Sequence, residues 1–330
     1  MKETVLDCDF IILNRLPELY SAQRFQAEIN RHNLNAKLIS PEALINQAPQ
    51  IETRDLRPVI LYRQGEFNFW ATQHALSQMP FKIINSPKKF LAARDKWSTA
   101  QAWQKNNIPT PKSLLASILL EKLPAYLNQE EITKILTDFF DLMASHLNVP
   151  FVFKKRFSSQ GRGVFLIKNA TDLLDVLKQD EMAFHNTDSL EIEYFAQNHV
   201  QNTIPESHLW QQLTRWIAQE SITESFGMDV RVFISNSSNY SVERKNQISF
   251  RSNLHQGGTA SATSLSELEA NYVRRVHELS GLSYSGIDFL RTSNGPVFLE
   301  TNPSPGFEGI EKAYPNVNIA YDLLLLMQTI

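Results

Sequence analysis

Among 330 residues there is one cysteine, Cys8. That excludes a disulfide framework and any cysteine-rich zinc site, and leaves Cys8 as a small buried hydrophobe. No stretch approaches the ~20 apolar residues a membrane helix needs; the run Leu323–Met327 is far too short. The N-terminus carries Glu3, Asp7 and Asp9 around a brief apolar run, which is not the pattern of a secretory signal. The charge is nearly balanced, 32 basic against 35 acidic residues for a net of -3. Strong attraction to nucleic acid or to an anionic membrane is therefore not expected. These absences point to a cytoplasmic protein with neither kind of partner. The 42% hydrophobic and 20% charged fractions suit a folded chain, and the length allows two or three domains.

Glycine is scarce too, and unevenly spread. There are 11, about 3% against an average near 7%. Only Gly65 precedes residue 160; the other ten run from Gly161 to Gly309. Glycine serves tight turns and close approach to ligands, so the special backbone is expected in the second half.

What is present begins as strand–helix alternation. Phe10–Leu13 reads as a buried strand, Ala36–Ile39 and Val59–Tyr62 as further strands and Ile83–Ile84 as a short apolar piece, with helices over Pro17–Asn33 and Phe67–Gln78. This pattern predicts a parallel α/β domain ending near Asn85–Pro87. Helices follow over Asp95–Asn106 and, capped by Asn128, over Gln129–His146. Phe151–Lys155 and Val164–Ile167 flank a glycine-bearing loop, Ser158–Gly163, as a hairpin, and Thr171–Lys178 reads as a helix. The polar stretch from Asp180 to Ser207 carries no assignable period, and Leu209–Trp216 reads as helical. Ala218–Ile222, Asp229–Ile234 and Tyr240–Lys245 read as strands. Ser264–Leu279 is a strong helix pattern: Ser264 and Glu267 have capping-box spacing. Leu265, Leu268, Tyr272, Val276 and Leu279 share one face, and Gly281 is the stop. Ser285–Leu290 and Val297–Thr301 form a last hairpin.

That hairpin carries the strongest constellation. Alternate strand residues share a face, so Glu300 and Asn302 point the same way. With a three-residue loop Ser293–Gly295, Thr292 faces Pro296 and Asp288 faces Glu300. Two carboxylates and an amide oxygen then converge, and like charges set opposite each other call for a cation between them. Hard oxygen donors favour Mg²⁺ or Mn²⁺ bridging to phosphates. A second feature is Lys154 beside Gln160, Gly161 and Gly163, a lysine next to backbone N–H groups able to cradle phosphate. Its spacing is not that of a P-loop, and Lys155 and Arg156 leave open which cation points inward. A third is the loop Phe250–Gly258. There Arg251 can grip an anion with two prongs, flanked by Ser252 and Asn253. Lys96 reads as an exposed helix-start lysine, and Arg63 and Arg244 as surface ion-pair residues. Together the parts describe a phosphoryl-transfer machine.

At this level the sequence resembles the RimK-type glutamate ligases of the ATP-grasp superfamily. The matching strings are Ala93–Lys96, Ser159–Val164, Gln219–Ile222, Asp229–Arg231, Phe250–Gly258, Gly286–Arg291 and Leu299–Lys312, in the family's order. The resemblance implies an α/β and α+β fold: a pre-ATP-grasp α/β domain over 1–86, a small lobe with the lid loop over 87–222, and a large lobe over 223–330. It implies that Lys96 and Lys154 contact the phosphates of ATP and that Gln160, Gly161 and Gly163 belong to the lid. Glu220, Ser221 and Ile222 would meet adenine and ribose, with Asp229 nearby. Asp288, Glu300 and Asn302 would hold two Mg²⁺ ions. Arg251 and Asn253 would be catalytic, stabilising an acyl phosphate, with Ser252 beside them.

The implied reaction joins a carboxylate acceptor, a small molecule or a peptide or protein C-terminus, to an amino acid, commonly glutamate. Two alternatives share these parts: a glutathione-synthetase-like ligase confined to small molecules, and a nucleotide-binding regulatory protein with little turnover. A homo-oligomer, dimer or tetramer, is left open. The chain departs from the family pattern in a longer stretch near 180–216, in Ser221 where a tyrosine is expected, and in Arg162 in place of a small aliphatic residue.

Overall fold

Four apolar residues in a row, unbroken by a polar one, suit a strand covered on both faces. Phe10–Leu13 (β1) and Val59–Tyr62 (β3) are such strands. They lie parallel, with Ala36–Ile39 (β2) outside β1 and Ile83–Ile84 (β4) outside β3, in the order β2-β1-β3-β4. The structure, a computed structural model, describes residues 8–14, 16–47, 58–63, 69–117, 128–159, 161–184, 190–191, 194–195, 212–236, 238–249, 252 and 257–330. It confirms the α/β and α+β fold class. Tyr20–Arg31 (α1), Pro41–Gln47 (α2), Phe69–Gln78 (α3) and Pro87–Arg94 (α4) accompany the parallel sheet. The sequence reading lacks α2 and α4. Pro87, expected at a domain end, opens α4, where its missing N–H costs nothing. Cys8 is buried, as expected. The chain divides into two compact units, Met1–Arg94 with Gly227–Ile330, and Asp95–Phe226.

The unit Asp95–Phe226 starts with Lys96–Lys105 (α5), N-capped by the Asp95 side chain. Ser113–Leu115 (β5) follows, then Gln129–Leu147 (α6), whose capping box joins Asn128 and Glu131. Phe151–Lys155 (β6) and Val164–Ile167 (β7) form the expected hairpin. Ala170–Phe184 (α7) and Trp216–Glu220 (β8) complete an antiparallel sheet ordered β5-β8-β6-β7. Trp216, expected to end a helix, begins β8 instead. It stacks on Phe153 with ring centroids 4.7 Å apart and donates its indole N–H to Asp180 at 2.9 Å. Leu136, Phe139, Met143, Leu173 and Leu177 of the two helices pack with Phe151 and Phe153 over one face of that sheet.

Met228–Ser235 (β9), Asn239–Lys245 (β10), Thr259–Ala262 (β11), Tyr284–Thr292 (β12) and Gly295–Asn302 (β13) form a five-stranded antiparallel sheet ordered β11-β10-β9-β12-β13. Glu267–Ser280 (α8), Glu308–Ala313 (α9) and Ile319–Gln328 (α10) accompany it. The apolar run Leu323–Met327 lies in α10. Leu323 and Leu324 share a core with Phe25 of α1, Val59 and Leu61 of β3, Phe233 and Tyr284. Among the described residues, no helix is long and apolar enough to cross a membrane.

The α8 reading needs correction. Its capping box is Ser266 with Glu269, two residues later than the spacing of Ser264 and Glu267 suggested. Its buried face carries Glu269, Val273 and Val276, while Leu268 and Leu279 are exposed. Arg291 of β12 donates to Glu269 at 2.7 Å, so an ion pair holds the position a leucine was expected to take. Gly281 at φ +61 is the left-handed stop anticipated.

Candidate active site

Two charged clusters, one in each unit, contain Asp229, Asp288 and Glu300 in one case and Lys96 in the other.

The first lies on one face of the five-stranded sheet, and the β12–β13 hairpin aims it. Asp288 pairs with Glu300, as expected, but by another route. The loop is the two residues Ser293 and Asn294, with Thr292 paired to Gly295 at φ +107. The extra residue anticipated in the loop sits instead at a bulge: Phe289 pairs with Phe298 and Asp288 with Glu300, leaving Leu299 unpaired. The bulge has a consequence for direction. Phe298 packs on Phe289, ring centroids 5.2 Å apart, on the face opposite Asp288. Without Leu299 unpaired, Phe298 and Glu300 would share a face. With it, Glu300 turns to the side of Asp288, which is how bulges re-aim side chains. Asn302, two residues on and paired with Gly286, shares that side.

Arginines fill the neighbouring rungs. Arg231 lies opposite Asp288, and Arg244 opposite Asp229. Arg231 clamps Asp288 with Nε to Oδ1 at 2.7 Å and Nη2 to Oδ2 at 2.6 Å, and its Nη2 lies 3.8 Å from a Glu300 oxygen. Arg244 grips Asp229 with both prongs, Nε to Oδ1 at 2.7 Å, and also donates to Asp288 Oδ2 at 2.8 Å. Arg244 is 2% exposed, so its reading as a surface ion-pair residue is overturned. Burial would raise the Asp288 pKa, but the Arg231 and Arg244 charges prevail and hold it well below the usual carboxylate range. Burial would likewise lower the Arg244 pKa, and Asp288 and Asp229 drive it up instead.

The carboxylates of Asp229, Asp288 and Glu300 thus meet the guanidiniums of Arg231 and Arg244. The Glu300 side chain is 27% exposed, whereas that of Asp288 is 3%. Asn302 Oδ1 accepts from the Ser304 N–H at 2.9 Å and keeps a second lone pair. The oxygens of Asp288, Glu300 and Asn302, on alternate rungs, are donors of the type a hard divalent cation takes.

The parallel sheet of the same unit steadies the following turn. The Asn85 amide donates to the carbonyls of Tyr284 and Pro303, both at 3.0 Å, and accepts from the Ser283 N–H at 2.7 Å. Arg63 donates to the Pro305 carbonyl at 2.8 Å and stacks over Phe307. It too is buried, contrary to its reading as a surface residue. Gly286 is required here, because a Cβ would meet Pro305 Cβ at 2.6 Å.

The second cluster lies in the other unit, where β6 alternates its cations between faces. Lys155 turns toward the helices, 2.5 Å from Asp180 and over the Trp216 ring. Lys154, 6% exposed, therefore leaves the opposite face, and Arg156 is taken by Asp95. Lys96, buried rather than exposed as expected, is tied at both ends to the segment after β6. Its backbone N–H donates to the Arg156 carbonyl at 3.2 Å, and its ammonium to the Ser158 carbonyl at 2.8 Å and hydroxyl at 3.3 Å. Gly161 and Gly163 adopt φ +73 and +60, and a Cβ at Gly163 would press on Lys155 Cγ at 2.9 Å. Glu220 ends β8, with Ser221 and Ile222 just beyond it.

Gln160, Arg251 and Asn253 lie outside the described residues, and of that arginine loop only Ser252, Gly257 and Gly258 are described. Sequence reasoning missed the part played by Arg231 and Arg244. The available signal was the alternation of Asp229 and Arg231 along β9.

The model of the RimK-like ATP-grasp domain matches residues 93–327. A curated relative, the probable alpha-L-glutamate ligase of Haemophilus ducreyi (strain 35000HP / ATCC 700724), is 25% identical over 332 residues, covering 92% of this chain and 93% of its own. Among solved structures, the RimK domain ATP-grasp protein of Sphaerobacter thermophilus superposes with a TM-score of 0.61 at 14% identity, over 94% of this chain and 96% of that one. The ATP-grasp ligase PsnB, solved with a minimal precursor, Mg and ADP, gives 0.58 at 15% identity over 100% and 99%. With the matched domain spanning more than two thirds of its length, the chain belongs to the RimK-like ATP-grasp family.

Proposed function

We propose that this protein is an ATP- and Mg²⁺-dependent carboxylate–amine ligase that forms an amide bond, with glutamate as the leading amine. The observation that carries the reading is the sheet face on which Asp288, Glu300 and Asn302 share one side. Family membership supports it, as does the glutamate-ligase name of the Haemophilus ducreyi relative.

In this reading the substrate carboxylate attacks the γ-phosphorus of ATP, giving an acyl phosphate and ADP. The amine then attacks the activated carbonyl and releases phosphate. Lys96 and Lys154 hold phosphate oxygens, and the Gln160–Gly163 segment covers them. Glu220, Ser221, Ile222 and Asp229 border the nucleoside. Arg251 and Asn253, with Ser252 beside them, orient the acyl phosphate. Asp288, Glu300 and Asn302 would hold two Mg²⁺ ions. Bound there, the ions supply positive charge to the phosphoryl oxygens. Arg231 and Arg244 keep Asp288 ionised, so it can serve as a ligand without losing a proton first. Residues 1–86, 87–222 and 223–330 act as pre-ATP-grasp domain, small lobe and large lobe.

The test is ADP release with a panel of carboxylates and amino acids, followed by mass spectrometry of products formed from cell extract with labelled glutamate. Label in a new amide is expected. Absence of substrate-stimulated ADP release across the panel would favour a nucleotide-binding regulatory protein instead.

A further inference from the structure

The stretch from Asp180 to Trp216 has no role in the reading above, yet two of its described residues reach the support of Lys96. Tyr194 donates its hydroxyl to Asp95 Oδ2 at 3.1 Å, across 99 residues of chain. Asp95 is wholly buried and takes five donors on two oxygens. These are the Trp97 N–H at 3.1 Å, the Ser98 hydroxyl at 2.7 Å, Arg156 Nε at 2.9 Å and Nη2 at 2.5 Å, and Tyr194. Beside it, Phe195 lies under the Arg156 guanidinium at 4.6 Å, and Phe157 meets the rings of Tyr194 and Phe195 edge-on at 5.3 and 5.8 Å.

The two partners of this aromatic pair flank the phosphate-side residues. Asp95 immediately precedes Lys96. Arg156 and Phe157 immediately precede Ser158, which accepts the Lys96 ammonium. The Arg156 carbonyl also accepts the Lys96 N–H. We infer that Tyr194 is a positioning residue for the nucleotide: through Asp95 it fixes where the Lys96 ammonium stands relative to the Ser158–Gly163 loop. A buried carboxylate has few low-energy arrangements when all its donors are present. Removing one donor frees Asp95 and Arg156 to shift, and Lys96 shifts with them. The inference rests on the assignment of Lys96 to nucleotide phosphates.

The experiment measures MgADP dissociation constants by calorimetric titration of the full chain, for wild type, Lys96→Ala, Tyr194→Phe and the double variant. Phenylalanine keeps the ring against Phe157 and removes only the hydroxyl. The expected results are weakening by roughly three- to tenfold for Tyr194→Phe, a larger loss for Lys96→Ala, and no further loss in the double variant. Non-additivity of that kind shows that Tyr194 acts through Lys96. In turnover assays the Tyr194→Phe effect should fall on KM for ATP rather than on kcat. A merely structural tyrosine would lower the melting temperature and leave the dissociation constant of the folded protein alone. Tyr194→Phe within twofold of wild type, alongside a weakened Lys96→Ala, overturns the inference and spares the Lys96 assignment. Additive losses overturn it as well. Wild-type affinity in Lys96→Ala removes the assignment itself, and the inference with it.

Discussion

The two units each bury an aspartate in an arginine clamp next to candidate functional residues, but those neighbours carry opposite charges. On the five-stranded sheet, Asp288 shares Arg244 with Asp229 and Arg231 with the acidic Glu300. In the other unit, Asp95 pairs with Arg156, and the basic Lys96 and Lys154 lie next to them in sequence. In the proposed function the first neighbour meets a cation and the second phosphate. The difference teaches that one kind of buried Arg–Asp clamp can stand beside either an acidic or a basic candidate residue. In each unit it fixes the backbone next to that candidate.

The sharpest way to break this comparison is Glu300→Gln. It removes the Glu300 charge and keeps the shape, so turnover should fall by roughly a hundred- to a thousandfold, the scale of losing one aligned electrostatic group. The melting temperature should stay close to that of wild type. Retained turnover would refute the assignment of Glu300. Asp95→Ala should behave in the opposite sense. It strands the Arg156 guanidinium in a buried site, which costs about 3–5 kcal/mol, measurable as a lowered urea midpoint. If Glu300→Gln proved the more destabilising of the two, the division of labour would be wrong.

Gly163→Ala should cost about 1–2 kcal/mol. It places a side chain at φ +60 and presses a Cβ on Lys155. Gly281→Ala, at φ +61, should cost less, because the Cβ would meet only the mobile end of Lys89, no closer than 3.2 Å. Equal urea midpoints for the two would remove the steric part of the argument.

Acid should sharpen the contrast least. The folded-state pKa values of Asp95 and Asp288 both lie below the usual 3.8, each lowered by its arginine partners against the effect of burial. A lowered folded pKa gives stability that is complete above the unfolded value and lost as pH falls beneath it. Urea stability should therefore be insensitive to these two groups from pH 7 to about 5 and decline below about pH 4. Asp288→Asn should flatten that decline, and an unchanged slope would count against the clamp.

Much of this was legible in the sequence where one rule sufficed. The strands β1 and β3 follow from unbroken apolar runs, and the α6 start follows from Asn128 as N-cap. The facing of Asp288 and Glu300 was legible too, though only because two errors offset. One residue was placed in the loop rather than in the bulge at Leu299, and either choice gives the same offset. What escaped were features decided by partners far along the chain. Arg63 and Arg244 are ordinary letters until Pro305 and Asp288 are brought to them. The buried face of α8 is turned by Arg291, which no helical period reveals. Tyr194 sits in a stretch without period, and only the fold shows that it ends on Asp95.

The most direct test of the central claim leaves turnover aside. Mn²⁺ binding in the presence of ADP can be titrated by electron paramagnetic resonance in wild type and in Glu300→Gln. The acid face, if it is the cation site, should lose Mn²⁺ affinity by at least about tenfold on loss of that one charge. Equal affinity in the two proteins would contradict it.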